Sequence, residues 1–242
     1  MSKAIAICGL PGSGKTSSVF PSKELGIIGL NPEQTFFVSV QKTELPMRGW
    51  RNKFTNFTKD NPKGNFVKTD QISVIKGLVK YISETRTDLK YLIIDDFSYM
   101  LSNEYFRRIK ETGYNKFNDV GNIAFETIQA ALNARDDLFI FLLTHSETVT
   151  NAQTGMPMDK MKSIGKLVDE KFNMEGCFNY VLFAGSEINE QSNGEIKVSK
   201  YFLTQSDGSN TAKTPAGVFD ELKIPNDLGY IVQKINDYEY GD

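Results

Sequence analysis

Gly9-Leu10-Pro11-Gly12-Ser13-Gly14-Lys15-Thr16 fits the spacing G-x-x-x-x-G-K-[ST] and follows directly on an apolar run, Ala4-Ile5-Ala6-Ile7-Cys8. A phosphate chain held by a protein needs several donors converging on it with no side chains in the way. Glycines let backbone N–H groups do this where a loop runs into a helix. The stretch therefore reads as a P-loop, with Gly9, Pro11, Gly12, Ser13 and Gly14 as the cradle. In such a loop Lys15 reaches the β- and γ-phosphates and Thr16 sets its hydroxyl on Mg²⁺, so ATP and Mg²⁺ are the expected ligands. The motif requires a strand before it and a helix after it. A β-type run over 3–8 and a short helix from Lys15 to Phe20, stopped by Pro21, supply both.

Working outward, 242 residues with 40% hydrophobic content suit one α/β domain with a sizeable core. A nucleotide-binding core over 1–147 and an extension over 148–242 are expected within that single domain. Basic and acidic residues number 28 and 30, a net charge of −2, so nucleic-acid contact must come from a local patch rather than from the whole surface. Cys8 and Cys177 match no metal spacing, and Cys8, closing the first strand, reads as a small buried thiol. No stretch reaches the length of a membrane span, and the N-terminus lacks the layout of a signal peptide. A cytoplasmic protein without a membrane partner is expected.

Past the P-loop, residues 27–30 and 35–40 read as β-type segments. The section 42–68 carries seven basic against two acidic residues, a balance of +5, interleaved with Trp50, Phe54, Phe57 and Phe66. Charge for a backbone and flat rings for bases are what single-stranded nucleic acid uses, which makes Arg48, Trp50, Arg51 and Lys53 candidate DNA contacts. The competing reading is a loop whose aromatics pack on the sheet. Apolar residues at 72, 74, 75, 78, 79 and 82 predict a helix from Asp70, a plausible N-cap, to Glu84. Tyr91-Leu92-Ile93-Ile94-Asp95-Asp96 then describes a buried strand delivering acids to its C-terminal edge, a Walker B pattern. Asp95 would hold Mg²⁺ and Asp96 would polarise the attacking water. A helix over 118–135 leads to a further buried strand, 138–143, which ends in Thr144-His145. Residues 148–165 read as a polar, mobile connection. A helix over 166–175, strands near 179–185 and 196–204 with a Ser192-Asn193-Gly194 turn, and a last helix to about Tyr238 complete the chain.

GLPGSGKT at 9–16, KYLIIDDFSYM at 90–100, FLLTHSE at 141–147, SIGKLVDEK at 163–171, and TAKTP then IPNDL within 211–228 together resemble phage-encoded P-loop ATPases of RecA-like fold that work in recombination and single-strand annealing. The resemblance implies a twisted, mainly parallel sheet flanked by helices with a C-terminal hairpin extension. It further implies Mg²⁺-dependent ATP hydrolysis, homo-oligomers on single-stranded DNA, and a single-strand-binding protein as partner. It makes His145 a γ-phosphate sensor and sets the connection over 148–165 against DNA, with Lys160 and Lys162, joined by Lys166, as candidate contacts. A cation donated by a neighbouring subunit is also implied, with Lys213 the candidate, since no arginine follows Arg135, and Arg107 and Arg108 its rivals. RecA-type enzymes carry a catalytic glutamate just after the strand that follows the P-loop helix. Here Val38-Ser39-Val40-Gln41-Lys42 holds none and Glu44 is the nearest, so Glu44 and Asp96 compete as the base. Two other readings stay open: a nucleoside or nucleotide kinase, which needs several cations over two phosphoryl groups, and a non-hydrolysing ATP switch that binds partner proteins.

Overall fold

The computed structural model describes residues 2–113, 115–163, 172–190, 194 and 196–241. Four strands read as continuous apolar runs, and the structure buries their first residues on both faces, as parallel strands covered by helices require. These are β1 (Lys3–Gly9), β2 (Thr35–Ser39), β4 (Tyr91–Asp95) and the first half of β5 (Phe139–Thr150). With β3 (Phe66–Lys68), β7 (Tyr180–Glu190), β8 (Ile196–Leu203) and β9 (Lys223–Pro225) they form one sheet in the order β3-β2-β4-β5-β1-β7-β8-β9. Neighbours from β3 to β7 are parallel, while β8 pairs antiparallel with both β7 and β9. The sheet is thus mixed but mostly parallel, the expected α/β class with its C-terminal hairpin. β5 separates the P-loop strand from the acidic strand, so the tips of β1, β5 and β4 lie side by side.

Alternate residues of each strand feed opposite faces. Ala4, Ala6, Cys8, Phe36, Val38, Leu92 and Ile94 meet the buried stripes of α1 (Ile72–Thr85), α2 (Phe97–Arg107) and α3 (Asn115–Leu132). Ile5, Ile7, Phe37, Ile93 and Phe141 face the other way, onto Val19, Phe20 and α4 (Leu228–Tyr240). In α1 the stripe is Ile75, Leu78, Val79 and Ile82, each burial contributing about 1.5–3 kcal/mol. Asp227 fastens α4 to the sheet edge. Its carboxylate accepts from Gly229 N at 2.8 Å within the helix, and from Ile28 N at 2.6 Å and Gly29 N at 2.9 Å in the loop after the P-loop.

Several local expectations are corrected. The helix expected over Lys15–Phe20 is a single 3-10 turn, Ser17–Val19. Ser17 and Ser18 turn their hydroxyls back onto Gly14 O and Lys15 O, which competes with helix propagation, and Pro21 ends the turn. Residues 27–30 form no strand, only a bridge between Ser22 and Ile27. Asp70 is not the cap of α1: Gln71 holds that position without a side-chain bond, and Asp70 instead pairs with Arg107 at 2.5 Å. The connection expected from 148 is largely a hairpin. β5 runs on to Thr150 and pairs antiparallel with β6 (Pro157–Met161) around an Asn151-centred turn. The β-branched Thr148-Val149-Thr150 explains why the strand continues. The expected helix over 166–175 falls mostly outside the described residues, as does the SIGKLVDEK run beyond Ser163; Glu175–Cys177 is a 3-10 turn. Of the Ser192-Asn193-Gly194 turn only Gly194 is described. Among the described residues no helix is long and apolar enough to cross a membrane.

Candidate functional site

A cleft of about 790 Å³ opens at the C-terminal edge of the sheet, lined by the P-loop, by Gln41 and Thr43 after β2, by Asp96 and Tyr99 at the start of α2, by His145 on β5 and by Lys200 on β8. Open α/β sheets bind their ligands at this edge. The loop needs its glycines for contact as well as conformation. Gly14 has φ +96°, and a Cβ there would stand 2.6 Å from Lys200 Cδ and 2.8 Å from Asn226 Oδ1. At Gly9 a Cβ would stand 2.8 Å from both Ala184 O and Ser13 Oγ.

Lys15, buried, donates to Gly9 O at 2.8 Å and Leu10 O at 2.9 Å. Burial lowers its pKa, and the charges of Asp96 and Asp95 oppose that shift. Thr16 Oγ1 lies 3.1 Å from each carboxylate oxygen of Asp95, joining the P-loop to the tip of β4. Asp95 is buried; burial and the nearby Asp96 push its carboxyl up to about 7, against the Thr16 hydrogen bond and Lys15. Asp96 adopts a left-handed backbone, φ +65°, a conformation uncommon for a side-chain-bearing residue and found at functional sites. That turn aims its Oδ1 to within 3.2 Å of His145 Nε2, and the Tyr99 ring meets the imidazole edge-on with centroids 5.2 Å apart. Ser13 Oγ and Thr144 Oγ1, both at this edge, are buried without a hydrogen-bond partner.

This donor set fits a nucleotide phosphate chain with Mg²⁺. It offers a glycine cradle, one buried ammonium, an unsatisfied loop hydroxyl on Ser13, and a hydroxyl–carboxylate pair whose carboxyl is held up by burial and neighbouring negative charge. Among the described residues no three His, Cys, Asp or Glu side chains cluster as a metal cage. A hard cation held by one carboxylate and a hydroxyl, with phosphate and water filling the remaining positions, matches the habit of Mg²⁺.

The sequence-derived candidates divide. Gly9 to Thr16, Asp95, Asp96 and His145 come together. Glu44 does not line the cleft: its exposed carboxylate is held by Arg51 at 2.7 Å and Lys68 at 2.8 Å, and those pairs lower its pKa. Lys213 bridges Val181, whose partner on β1 is Ala6, three residues and about 10 Å down the strand from Gly9. Arg107 is paired with Asp70 and Glu104, and Arg108 with Glu111 and Asp119. In the 42–68 section the rings pack inward. Phe54 and Phe66 are buried, Phe57 meets Phe36 and Tyr81, and Trp50 lies 5.2 Å from the Phe66 ring. Arg51 stacks over the Trp50 ring at 4.5 Å, Lys53 stands 4.0 Å from Glu33, and Arg48 is exposed. Lys160 pairs with Glu147 at 3.5 Å, and Lys162 N donates to His145 O at 2.8 Å. Cys8 is buried and its thiol is pushed well up, the inert role expected of it.

Sequence reading missed Tyr99 and Lys200. Tyr99 was within reach, since it stands three residues after Asp96, on the same side of a helix. Lys200 carries no motif; only strand pairing brings it here.

No protein-family model matches the chain, and no curated protein is similar to it in sequence. A solved structure, the KaiC-like protein PH0186 from the hyperthermophilic archaeon Pyrococcus horikoshii OT3, is similar at 14% identity with a TM-score of 0.42, over 83% of this chain and 77% of that one. At that level the likeness carries no argument about this chain's activity or partners. The site's own geometry defines the class, a P-loop facing an acidic strand tip across a cleft.

Proposed function

We propose that the protein is a Mg²⁺-dependent ATPase of RecA-like type. The observation that carries this is the convergence of Thr16 and Asp95 at 3.1 Å, with the Asp96–His145 pair on the same cleft wall. When bound, ATP and Mg²⁺ would supply the reacting γ-phosphoryl group and a cation to offset its negative charge. The P-loop N–H groups and Lys15 then bind and orient the phosphates, and their positive charge meets the charge that develops in phosphoryl transfer. Thr16 and Asp95 would hold the metal. Asp96, fixed by its left-handed backbone, would orient a water, and His145 Nε2, 3.2 Å away, would donate to Asp96 Oδ1. This division of labour favours Asp96 over Glu44, whose carboxylate is tied up in two ion pairs.

Single-stranded DNA is the proposed effector, acting in recombination, annealing or replication on homo-oligomers, with a single-strand-binding protein as a possible partner. What supports it is the hairpin β5–β6. Lys160 and Lys162 stand on it, and the bond from Lys162 N to His145 O ties it to the strand tip in the cleft. The packed rings around Trp50 leave base stacking there with little support, so the Arg48, Arg51 and Lys53 contribution is to the phosphate backbone. The kinase reading is disfavoured because, among the described residues, Lys15 and Lys200 are the lysines that line the cleft and no arginine does. Phosphate release with ATP alone, with single-stranded DNA, and with nucleoside monophosphates separates these readings. ATP-dependent release raised by DNA is expected. Transfer to a monophosphate would replace the proposal with a kinase, and binding without turnover would replace it with a switch.

A further inference from the structure

Lys200 sits on β8 opposite Ser186 of β7, and its side chain enters the cleft beside Gly14, Lys15 and Thr16. The approach is close. The missing side chain at Gly14 is what lets the lysine stem lie against the phosphate loop, since a Cβ there would come within 2.6 Å of Lys200 Cδ. Among the described residues no acid pairs with its ammonium, whereas Lys223 on the adjoining strand is held by Glu187 at 2.8 Å. The cleft therefore has an exposed lysine whose stem passes close over Gly14 and whose head has no acidic partner among the described residues, next to a loop built for anions. Asp96 lines the same cleft and Asp95 lies buried beside it, both acting on Lys15, so a polyanion entering the cleft needs more positive charge than Lys15 provides.

We propose that Lys200 is a second phosphate-binding cation of the site, supplied in cis by the C-terminal hairpin; this rests on the nucleotide-binding reading above. A lysine is a mobile point charge on a flexible stem, suited to following phosphate oxygens as their charge changes. Acting from the same chain, it would add positive charge to the site without a cation from a neighbour.

The test is equilibrium binding of a non-hydrolysable ATP analogue with Mg²⁺ to the full chain and to Lys200→Met and Lys200→Arg, at two salt concentrations. Met keeps the stem over Gly14 and removes only the charge. Lys200→Met is expected to bind roughly ten- to a hundredfold more weakly with an unchanged melting temperature, as for the loss of one charge-assisted hydrogen bond. Its affinity should also depend less on salt, and Lys200→Arg should stay near wild type. Equal binding by wild type and Lys200→Met would overturn the proposal while leaving the nucleotide site standing; failure of the wild type to bind would overturn both. Mixing Lys200→Met with Lys15→Ala then tests the cis assignment. Phosphate release equal to the sum of the separate rates is expected, and release above that sum would show a lysine working across a subunit interface.

Discussion

At Asp95 the fold places a carboxyl against burial and a second acid, with the Thr16 hydroxyl 3.1 Å away. Folding raises its pKa from 3.8 to about 7. Between those values the folded chain keeps a proton that the unfolded chain has released, so the contribution of this one group to stability is fully present below about pH 4 and is lost as pH rises through about 7. The nucleotide-free protein should therefore gain from Asp95→Asn at pH 8, by on the order of a few kcal/mol, and lose its stabilisation by Mg²⁺ with ATP. Thermal melts of both proteins across pH 5 to 8 read this directly; an Asn variant that melts lower than wild type at pH 8 would refute the assignment. Lys15 meets the opposite demand. Its charge is partly opposed by burial and sustained by Asp96 and Asp95, so Lys15→Ala should abolish turnover and leave the fold intact. Phosphate release and circular dichroism on the same sample check both halves.

At the scale of elements, Asp227 joins the start of α4 to the loop after the P-loop by accepting from backbone N–H groups on both. Asp227→Ala loses a helix cap and leaves two loop donors unsatisfied, so it should cost about 2–4 kcal/mol. Urea unfolding with a shifted midpoint and unchanged slope is the expected record. A loss under about 0.5 kcal/mol, the range of ordinary surface changes, would contradict the anchoring role. This role also accounts for the IPNDL ending, which sequence offered only as a resemblance. The strands that carry the site were legible because burial on both faces writes itself as unbroken apolar runs, at 4–8, 35–40, 91–94 and 138–143. The acids at the end of one and the histidine at the end of another were legible for the same reason. Misreadings arose where a local signal had two physical solutions. Thr148-Val149-Thr150 is polar enough for a loop and β-branched enough for a strand, and pairing with β6 decided it. Ser17 and Ser18 looked helical by position, yet their hydroxyls bond the preceding carbonyls. Asp70 suited a cap, and a longer-range partner, Arg107, took it. Lys200 had no local signature at all, because its place depends on the pairing of β7 with β8.

For the whole molecule, a net charge of −2 means that, on the proposed DNA-binding reading, a lone chain should grip DNA weakly. Binding should come from several copies of Arg48, Arg51, Lys160 and Lys162 aligned on one strand, a gain from multivalency. DNA affinity is therefore expected to rise with ATP and fall steeply with salt, and a double Arg48→Ala, Arg51→Ala variant should bind more weakly, as fluorescence anisotropy with a labelled oligonucleotide would record. A strictly monomeric protein whose turnover ignores single-stranded DNA at low salt would contradict this and leave the nucleotide site as a switch or kinase. The claim beneath all of these is that Asp96, aimed by its left-handed backbone at His145, makes the P-loop cleft a hydrolase. Its most direct test is phosphate release from ATP by wild type, Asp96→Asn and Glu44→Gln, with nucleotide binding measured on the same samples. Asp96→Asn should bind ATP as wild type does and release phosphate at least a hundredfold more slowly, roughly the scale of losing a positioned acid–base group, with Glu44→Gln close to wild type. Full turnover by Asp96→Asn, or its loss in Glu44→Gln alone, would contradict the account.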